Sequence, residues 1–209
     1  MSRSLPAASV ARLPRYLRYL RGLPRSRTVV SSEDIAEGSG VSAVQVRKDL
    51  SFLGAAGTRG VGYDVTGLAD QLVRALGLEA RHGVAIIGAG NLGSALANYQ
   101  GFEARGFRMV AIYDIDSDRI GGRAGPLTVR SIDQMATDAR VDDISIGMIA
   151  TPADAAQFVS ALVVEAGVRA ILNFAPVELR VPQGVSVRRV DLATELQILS
   201  YHLVSKPEE

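Results

Sequence analysis

Three glycines in the second half of the sequence have the spacing of a turn that holds a dinucleotide. Gly88, Gly90 and Gly93 lie in the run Gly-Ala-Gly-Asn-Leu-Gly at residues 88–93, directly after the apolar residues 84–87. In such a turn the first glycine permits a sharp bend, the second lets backbone approach a pyrophosphate, and the third lets helix and strand pack closely. The phosphates would lie at the N-terminus of the next helix, where free N–H groups favour anions.

An acid stands where the ribose of such a ligand would be. Asp114 ends the next apolar run, 21 residues after Gly93. A carboxylate there accepts hydrogen bonds from the ribose 2′-hydroxyl of NAD and repels the 2′-phosphate of NADP. The pattern therefore predicts binding of NADH or NAD, with Ala89, Asn91 and Leu92 in the same turn. A Rossmann-like domain that binds coenzyme A is the alternative.

Two further loops could contact the ligand. Thr151 and Pro152 follow one predicted strand, and Asn173, Phe174 and Ala175 follow the next. Ligands bind at the carboxyl ends of strands in parallel sheets, so these residues are candidate contacts on the nicotinamide side. From position alone, ordinary loop residues are an equally good interpretation.

A second group of residues, in the first half of the sequence, suits DNA. Arg47 and Lys48 on a predicted helix have the donors that read guanine in the major groove, and Gln45 and Ser51 share the same outer side. A solvated helix face is the alternative interpretation. The residues expected to face the core are Val41, Val44, Leu50 and Leu53.

The segment after this helix is rich in glycine. Residues 54–63 contain four glycines, which predicts a tight β-hairpin that serves as a wing. Arg59 at its tip, between Thr58 and Gly60, suits insertion into a minor groove. The expected phosphate contacts are Arg12, Arg15 and Thr58.

Side chains for acid–base catalysis are scarce. The sequence has two histidines, His82 and His202, and its lysines are Lys48 in the predicted DNA-binding helix and Lys206 near the end. Hydride transfer to a carbonyl needs a placed proton donor, so we expect no catalytic residue and no enzyme activity. The alternative is an NAD-dependent oxidoreductase with a basic N-terminal extension.

Composition limits the remaining possibilities. Cysteine is absent, which excludes disulfides, thiolate metal sites and thiol switches, and we expect no bound metal. Residues 1–60 contain ten Arg or Lys and four Asp or Glu, whereas residues 61–209 contain thirteen and eighteen. A basic N-terminal part joined to an acidic C-terminal part suggests a polyanion-binding module fused to a domain with a different task, although a solvated basic face is equally consistent with charge alone.

Without an apolar signal core or an apolar run long enough to span a bilayer, we expect a cytoplasmic protein.

Hydrophobic periodicity predicts the elements that would position these residues. The first part would be helical, and Ser9 would cap its N-terminal helix. Pro14 would lie inside that helix and remove a hydrogen bond, so a start nearer Leu13 would accommodate the proline better. The predicted helices of this part are residues 9–22, 31–37, 43–52 and 67–77. Two of them, separated by a glycine-bearing turn, form a helix-turn-helix, and we expect the domain boundary at residues 78–83.

Strands and helices alternate after that boundary. The predicted strands are residues 84–87, 109–113, 144–149, 170–172 and 185–190, with helices running from the glycine turn to Ala104, over 153–166 and over 192–204. This alternation predicts an α/β fold with a doubly wound parallel sheet of Rossmann type. The last helix is apolar on one side and could pack on its own domain or on a second subunit.

With both halves considered, the sequence closely resembles the Rex family of redox-sensing transcriptional repressors. The matching stretches are residues 12–16, 45–51, 57–63, 88–96 and 173–176. The resemblance implies a homodimer with a winged-helix DNA-binding domain over 1–80, an NAD(H)-binding Rossmann domain over 81–190 and a swapped C-terminal helix over 191–209. It implies binding to an inverted-repeat operator in double-stranded DNA and release when NADH rises. By motif match, Arg47, Lys48 and Arg59 would contact DNA, and the nucleotide would be lined by Gly88, Gly90, Asn91, Leu92, Asp114, Thr151, Pro152 and Ala175.

A mechanism follows as a hypothesis. NADH and NAD differ by a hydride and by a positive charge on nicotinamide, and a ligand shifts an equilibrium only through its differential affinity for two states. We expect Arg18, Tyr99 and Asp191 to form a relay in one state only, whose rearrangement swings the two winged helices. Dimeric winged helices must match half-sites roughly 34–36 Å apart, or a multiple of that distance, so a small rotation breaks the register.

Overall fold

The computed structural model describes residues 5–58 and 60–204, and the chain separates into two compact units, Met1–Ala80 and Arg81–Glu209. The first unit is helical with a small two-stranded sheet. Its elements are α1 (Ala7–Val10), α2 (Leu13–Arg21), β1 (Val29–Val30), α3 (Ser32–Ser39), α4 (Ala43–Leu53), β2 (Tyr63–Asp64) and α5 (Val65–Ala75). Strands β1 and β2 are antiparallel.

The N-terminal segment forms two helices, so the prediction of one helix over 9–22 is wrong. Pro14 occupies the first turn of α2, where its missing N–H breaks no hydrogen bond. The predicted cap Ser9 lies buried inside α1 and caps nothing, because Pro6 precedes that helix. Helix α2 begins at Leu13, which is the start that Pro14 was expected to favour.

The helix-turn-helix is confirmed, and its boundaries have local causes. Ser31 and Asp34 form a capping box at the start of α3: the Asp34 N–H donates to Ser31 Oγ at 3.0 Å, and the Ser31 N–H donates to Asp34 Oδ2 at 2.9 Å. That backbone bond, with the neighbouring Arg27, lowers the pKa of Asp34 to about 2. Gly40 ends α3 at φ 68°, and Ser42 then caps α4.

The buried face of α4 differs from the prediction. Val44, expected in the core, is 67% exposed, whereas Val46 and Leu50 are fully buried. Asp49 is also fully buried, which the apolar pattern did not indicate. The helix turns this face inward because Asp49 has a charged partner, Arg12, and a polar one, Tyr16, on that side.

The second unit is a sheet with helices on both faces. Its elements are β3 (His82–Ile87), α6 (Asn91–Ala97), β4 (Phe107–Asp114), β5 (Arg123–Ala124), β6 (Leu127–Ser131), α7 (Met135–Val141), β7 (Ile144–Ile149), α8 (Ala153–Glu165), β8 (Ala170–Asn173), β9 (Ser186–Arg189) and α9 (Leu192–Val204). The strand order is β5-β6-β4-β3-β7-β8-β9, and every pairing is parallel except β5 with β6. This is the doubly wound order of a Rossmann fold, as predicted, with a short antiparallel edge strand added.

The switch point of the sheet is at β3, because the chain builds strands outward from β3 first on one side and then on the other. Strand β3 pairs with β4 on one side and with β7 on the other. The carboxyl ends of these strands border the crevice where ligands bind in open parallel sheets. The glycine turn follows β3, and Asp114 ends β4.

Four elements of this unit were not predicted, and one helix is shorter than expected. Strands β5 and β6, a 3-10 helix over Ile132–Gln134 and helix α7 lie between residues 115 and 143, where the sequence shows no clear periodicity. Helix α6 stops at Ala97 instead of reaching Ala104, and a 3-10 helix follows over Gln100–Arg105. The Asn98 side chain ends α6 by donating to the Ser94 carbonyl at 2.8 Å.

The last helix is exposed along its whole length in the part of the chain that the structure describes. No residue of α9 is buried, and its apolar side chains are exposed. Leu196, Leu199 and Leu203 are 66%, 58% and 81% exposed. Such a face normally requires a partner. None of the helices in the described chain is both long enough and apolar enough to cross a membrane.

Candidate nucleotide and DNA sites

The glycine turn is built as the sequence predicts. A Cβ on Gly93 would lie 1.8 Å from the Gly88 carbonyl oxygen, so only glycine allows α6 to pack this close to the turn. Gly88 has φ 103°, and its Cβ would lie 2.6 Å from the Ala150 oxygen. Gly90 differs, because its added Cβ would meet nothing nearer than Arg119 Nη1 at 4.0 Å. The middle of the turn is therefore open backbone.

Asp114 lies beside this turn and is 7% exposed. Its Oδ2 accepts from the Ala89 N–H at 2.7 Å and from Arg119 Nη1 at 3.1 Å. Its Oδ1 accepts from the N–H groups of Ile115 and Asp116 at 2.8 and 3.0 Å. Burial raises the pKa of Asp114, but the bonds from Asp116, Ala89 and Arg119 outweigh burial and hold that pKa below its usual value. The group is therefore an anionic acceptor fixed to the turn.

Arg119 was not singled out by the sequence. It lies five residues after Asp114, in a loop that periodicity does not describe, and its Nε is 3.5 Å from Asp116 Oδ2. The sequence feature that could have identified Arg119 is its position shortly after the acid of a dinucleotide motif.

The loops after β7 and β8 play different parts. Thr151 lies next to Gly88, and its Oγ1 is shielded from solvent with no hydrogen-bond partner among the described residues. Asn173 is 1% exposed, and its side chain holds its own loop by donating to the Ala175 and Val177 carbonyls. It shapes this loop with all its polar atoms engaged inside the protein. Of the other predicted residues, Ala175 is buried, Phe174 is half-buried and Pro152, Asn91 and Leu92 are exposed.

A buried ion pair joins α4 to the start of α2. Arg12 donates to both oxygens of Asp49, from Nε at 2.6 Å and from Nη2 at 2.8 Å. The Tyr16 hydroxyl donates to Asp49 Oδ2 at 2.7 Å, and Gln45 Nε2 donates to Oδ1 at 2.9 Å. Burial raises the pKa of Asp49, but these donors more than compensate, so the pKa lies well below its usual value. Burial and the Asp49 carboxylate raise the pKa of Tyr16 to about 12.

This network revises two expectations. Arg12, predicted to reach a DNA phosphate, is committed to Asp49 inside the unit. Gln45, predicted on the outer side of the helix, has its amide turned toward the same carboxylate. Sequence spacing could not reveal the pair, because its members are 37 residues apart.

The outer face of α4 carries the other predicted residues. Arg47, Lys48 and Ser51 are exposed. Arg47 Nη1 donates at 2.8 Å to both Ser32 Oγ and Glu33 Oε1, at the start of α3. Arg47 also lines a cleft of about 450 Å³ between α3, α4 and the glycine-rich segment. Arg47, predicted to read the major groove, is thus held by Ser32 and Glu33 where it lines this cleft.

The wing is smaller than the predicted hairpin over 54–63. Thr58 and Gly62 form a single antiparallel bridge, with Gly60 exposed in the turn between them. A Cβ on Gly62 would lie 2.3 Å from the Val30 carbonyl oxygen, so this turn packs against β1 through bare backbone. Arg59, the predicted minor-groove contact, lies outside the described residues.

Of the three predicted relay residues, Arg18 belongs to the first unit, and Tyr99 and Asp191 belong to the second. Arg18 is exposed on α2. Tyr99 is half exposed, packs edge-on against Phe102 and accepts from Arg105 at 3.5 Å. Asp191 pairs with Arg189 and accepts from the N–H groups that open α9. Their coupling stays a prediction. In the described parts of the chain, no cluster of three His, Asp or Glu is placed to hold a metal.

The fold and these sites define a two-domain protein of winged-helix and Rossmann type. Two family models match it: one described as a putative DNA-binding protein N-terminus, over residues 4–51, and one described as a CoA binding domain, over residues 79–177. The redox-sensing transcriptional repressor Rex of Streptomyces coelicolor is 52% identical over 209 residues, which are 100% of this chain and 81% of that protein. The Rex of Carboxydothermus hydrogenoformans is 47% identical and covers 95% of this chain and 96% of its own. The chain belongs to the Rex family of redox-sensing transcriptional repressors.

Solved structures agree with this assignment. RSP, a Rex-family repressor, matches with a TM-score of 0.87 at 38% identity, over 96% of this chain and 94% of its own. RSP in complex with beta-NAD+ and operator DNA matches with a TM-score of 0.88, 38% identity and coverages of 96% and 93%. RSP in complex with beta-NADH matches with a TM-score of 0.83, 38% identity and coverages of 95% and 93%.

Proposed function

We propose that this chain is a DNA-binding transcriptional repressor that senses the NADH/NAD ratio and leaves its operator when NADH binds. The observation that carries the proposal is the glycine turn with Asp114 beside it, in a chain whose other unit is a winged helix. In this proposal residues 1–80 bind DNA, residues 81–190 bind the nucleotide and residues 191–209 mediate dimerisation. It acts in the cytoplasm and is not an enzyme.

The residues present fit a dinucleotide. The open backbone at Gly90 leaves room for a pyrophosphate, and the anionic Asp114 is an acceptor for ribose hydroxyls. The unpartnered Thr151 Oγ1 next to Gly88 is a polar atom that a bound ligand would satisfy. Oxidation state reaches the protein through nicotinamide, which is neutral in NADH and positively charged in NAD.

The response to NADH requires a surface that distinguishes these two rings. A neutral ring enters an apolar interface that a charged one avoids. The exposed apolar face of α9, placed on a second subunit, supplies such an interface in this proposal. The relay of Arg18, Tyr99 and Asp191 would then carry the difference to the winged helices.

On the DNA side, Arg47 and Lys48 would read bases in the major groove. Thr58, Gly60 and Arg59 would form the wing. On binding DNA, Arg47 must exchange its bonds to Ser32 and Glu33 for bonds to a base edge. An exposed ion pair is broken at little cost. Arg15 remains a phosphate contact in this proposal, while Arg12 is assigned to the support of α4.

The test is fluorescence anisotropy on an A·T-rich inverted repeat at fixed salt, titrated separately with NADH, NAD and coenzyme A. NADH should release the DNA, and NAD at the same concentration should not. Release by coenzyme A alone would support the ligand that the second family model names. DNA binding that ignores all three would contradict the sensing proposal, and turnover of a simple hydroxy acid with NAD would favour the oxidoreductase.

A further inference from the structure

The strongest unassigned feature of the second unit is the guanidinium of Arg119 at the nucleotide site. It lies beside both the Asp114 carboxylate and the glycine turn, 3.1 Å from Asp114 Oδ2 and 4.0 Å from the position of a Cβ on Gly90. The side chain is about half exposed. No sequence motif assigned it a role.

The hydrogen bonds on Asp114 show that this contact cannot persist unchanged when a ribose binds. A carboxylate has about four acceptor positions. Three are taken by backbone N–H groups of Ala89, Ile115 and Asp116, which the fold fixes, and the fourth by Arg119. A ribose diol needs acceptor capacity on the same group, and the arginine is the donor that can move.

The same geometry places a cation beside the acid that would recognise the ribose. The ribose 2′-hydroxyl is the group that an acid at this position recognises, and an arginine nearby is how Rossmann domains accommodate a 2′-phosphate. In this chain both groups are present and are paired with each other. Asp116 also holds Arg119 Nε at 3.5 Å, so the guanidinium keeps a support when Asp114 releases it.

We propose that Asp114 and Arg119 act as a pair that sets nucleotide selectivity. Arg119 is a latent binding residue for the 2′-phosphate of NADPH, and Asp114 suppresses it by neutralising the guanidinium and by repelling the phosphate. This inference rests on the proposed nucleotide site. Its consequence is that loss of one charge at Asp114 makes the protein accept NADPH, with no new cation added.

The experiment measures the affinity of the full chain for NADH and for NADPH, each followed by its own fluorescence. We compare wild type, Asp114→Asn, Arg119→Gln and the double variant. Asp114→Asn should bind NADPH about tenfold more tightly than wild type does, the gain of one charge-assisted hydrogen bond. The double variant should lose that gain.

A matched control removes a positive charge elsewhere. Arg169 lies at the amino end of β8, away from the carboxyl ends of the strands, and donates to the Val164 carbonyl. Asp114→Asn combined with Arg169→Gln should keep the gain in NADPH affinity. Asp114→Ser provides a second variant if the asparagine amide, facing the Ala89 N–H, prevents folding as judged by circular dichroism.

The outcomes separate the two proposals. If wild type binds NADH but neither Asp114 variant gains NADPH affinity, the inference is wrong and the proposed function stands. The inference is also wrong if the double variant keeps the gain. If wild type binds no NADH, the proposed function and the inference fall together.

Discussion

At the scale of single residues, the open middle of the glycine turn makes a clear prediction. Gly90 has φ −70° and ψ −167°, a conformation that alanine adopts, and its added Cβ would clash with nothing in the protein. Gly90→Ala should therefore leave stability unchanged or raise it by about 0.4–1 kcal/mol. The new methyl group would occupy the place of the pyrophosphate, so NADH affinity should fall at least tenfold.

Two measurements check this prediction: urea unfolding, and NADH fluorescence on binding. Gly93→Ala is the contrasting variant, because its Cβ would lie 1.8 Å from a backbone oxygen and should destabilise the unit as well. NADH binding by Gly90→Ala at wild-type strength would show that the ligand does not pass over this turn.

The site could be predicted from sequence only where its chemistry is local. The glycines and Asp114 were identified because a turn and a strand end impose residue types at fixed spacing. The Arg12–Asp49 pair could not be, since burial of a charge depends on a partner 37 residues away. Asn173 was identified as a site residue, but only the structure shows that its amide holds the loop.

At the scale of elements, the Asp49 network anchors α4, the helix proposed to read DNA, to α2. Asp49→Asn removes the charge and leaves Arg12 without its counterion, so the free energy of unfolding should fall by about 3 kcal/mol at neutral pH. Chemical denaturation measures it. Asp70→Asn, an exposed acid on α5, is the control and should change stability by less than about 0.5 kcal/mol.

The same network predicts how this difference depends on pH. The pKa of Asp49 is lowered by folding, so its contribution is fully present above the unfolded value of about 3.9 and is lost as the pH falls below it. The gap between wild type and Asp49→Asn should therefore shrink below about pH 4. A gap that stays constant down to pH 2 would contradict the ion pair as its cause.

Elements were predictable where a pattern was long. The predicted bounds of β7 and α9 match the structure, because each has a continuous apolar run or stripe. Strand β6 and helix α7 were missed, since five and seven residues carry too little periodicity. The N-terminal helix was predicted as one because apolar spacing continues across the break before Leu13.

At the scale of the whole molecule, the relay can be tested without disturbing the elements that carry it. Tyr99→Phe removes the hydroxyl but keeps the ring against Phe102. Asp191→Asn removes the charge but keeps an acceptor for the N–H groups opening α9. Both variants should bind operator DNA as wild type does, but NADH should no longer release it.

Anisotropy titrations with NADH provide the measurement, and Glu165→Gln, an exposed acid at the end of α8, is the control. Release by NADH at the wild-type concentration in both variants would show that the coupling takes another route.

The unpartnered face of α9 makes the final prediction, which concerns assembly. Leu192, Leu196, Leu199 and Leu203 recur at helical spacing and are all exposed, so a second copy of the chain is the partner that would bury them. The double variant Leu196→Glu/Leu199→Glu should be a monomer by light scattering after size exclusion, where wild type is a dimer. Gln197→Glu adds one negative charge at a polar position of the helix and should stay a dimer. Because half-sites are read by two linked winged helices, the monomer should also lose operator affinity while its helical content is retained. A wild-type monomer, or a double variant that remains dimeric, would show that this face does not hold two copies together.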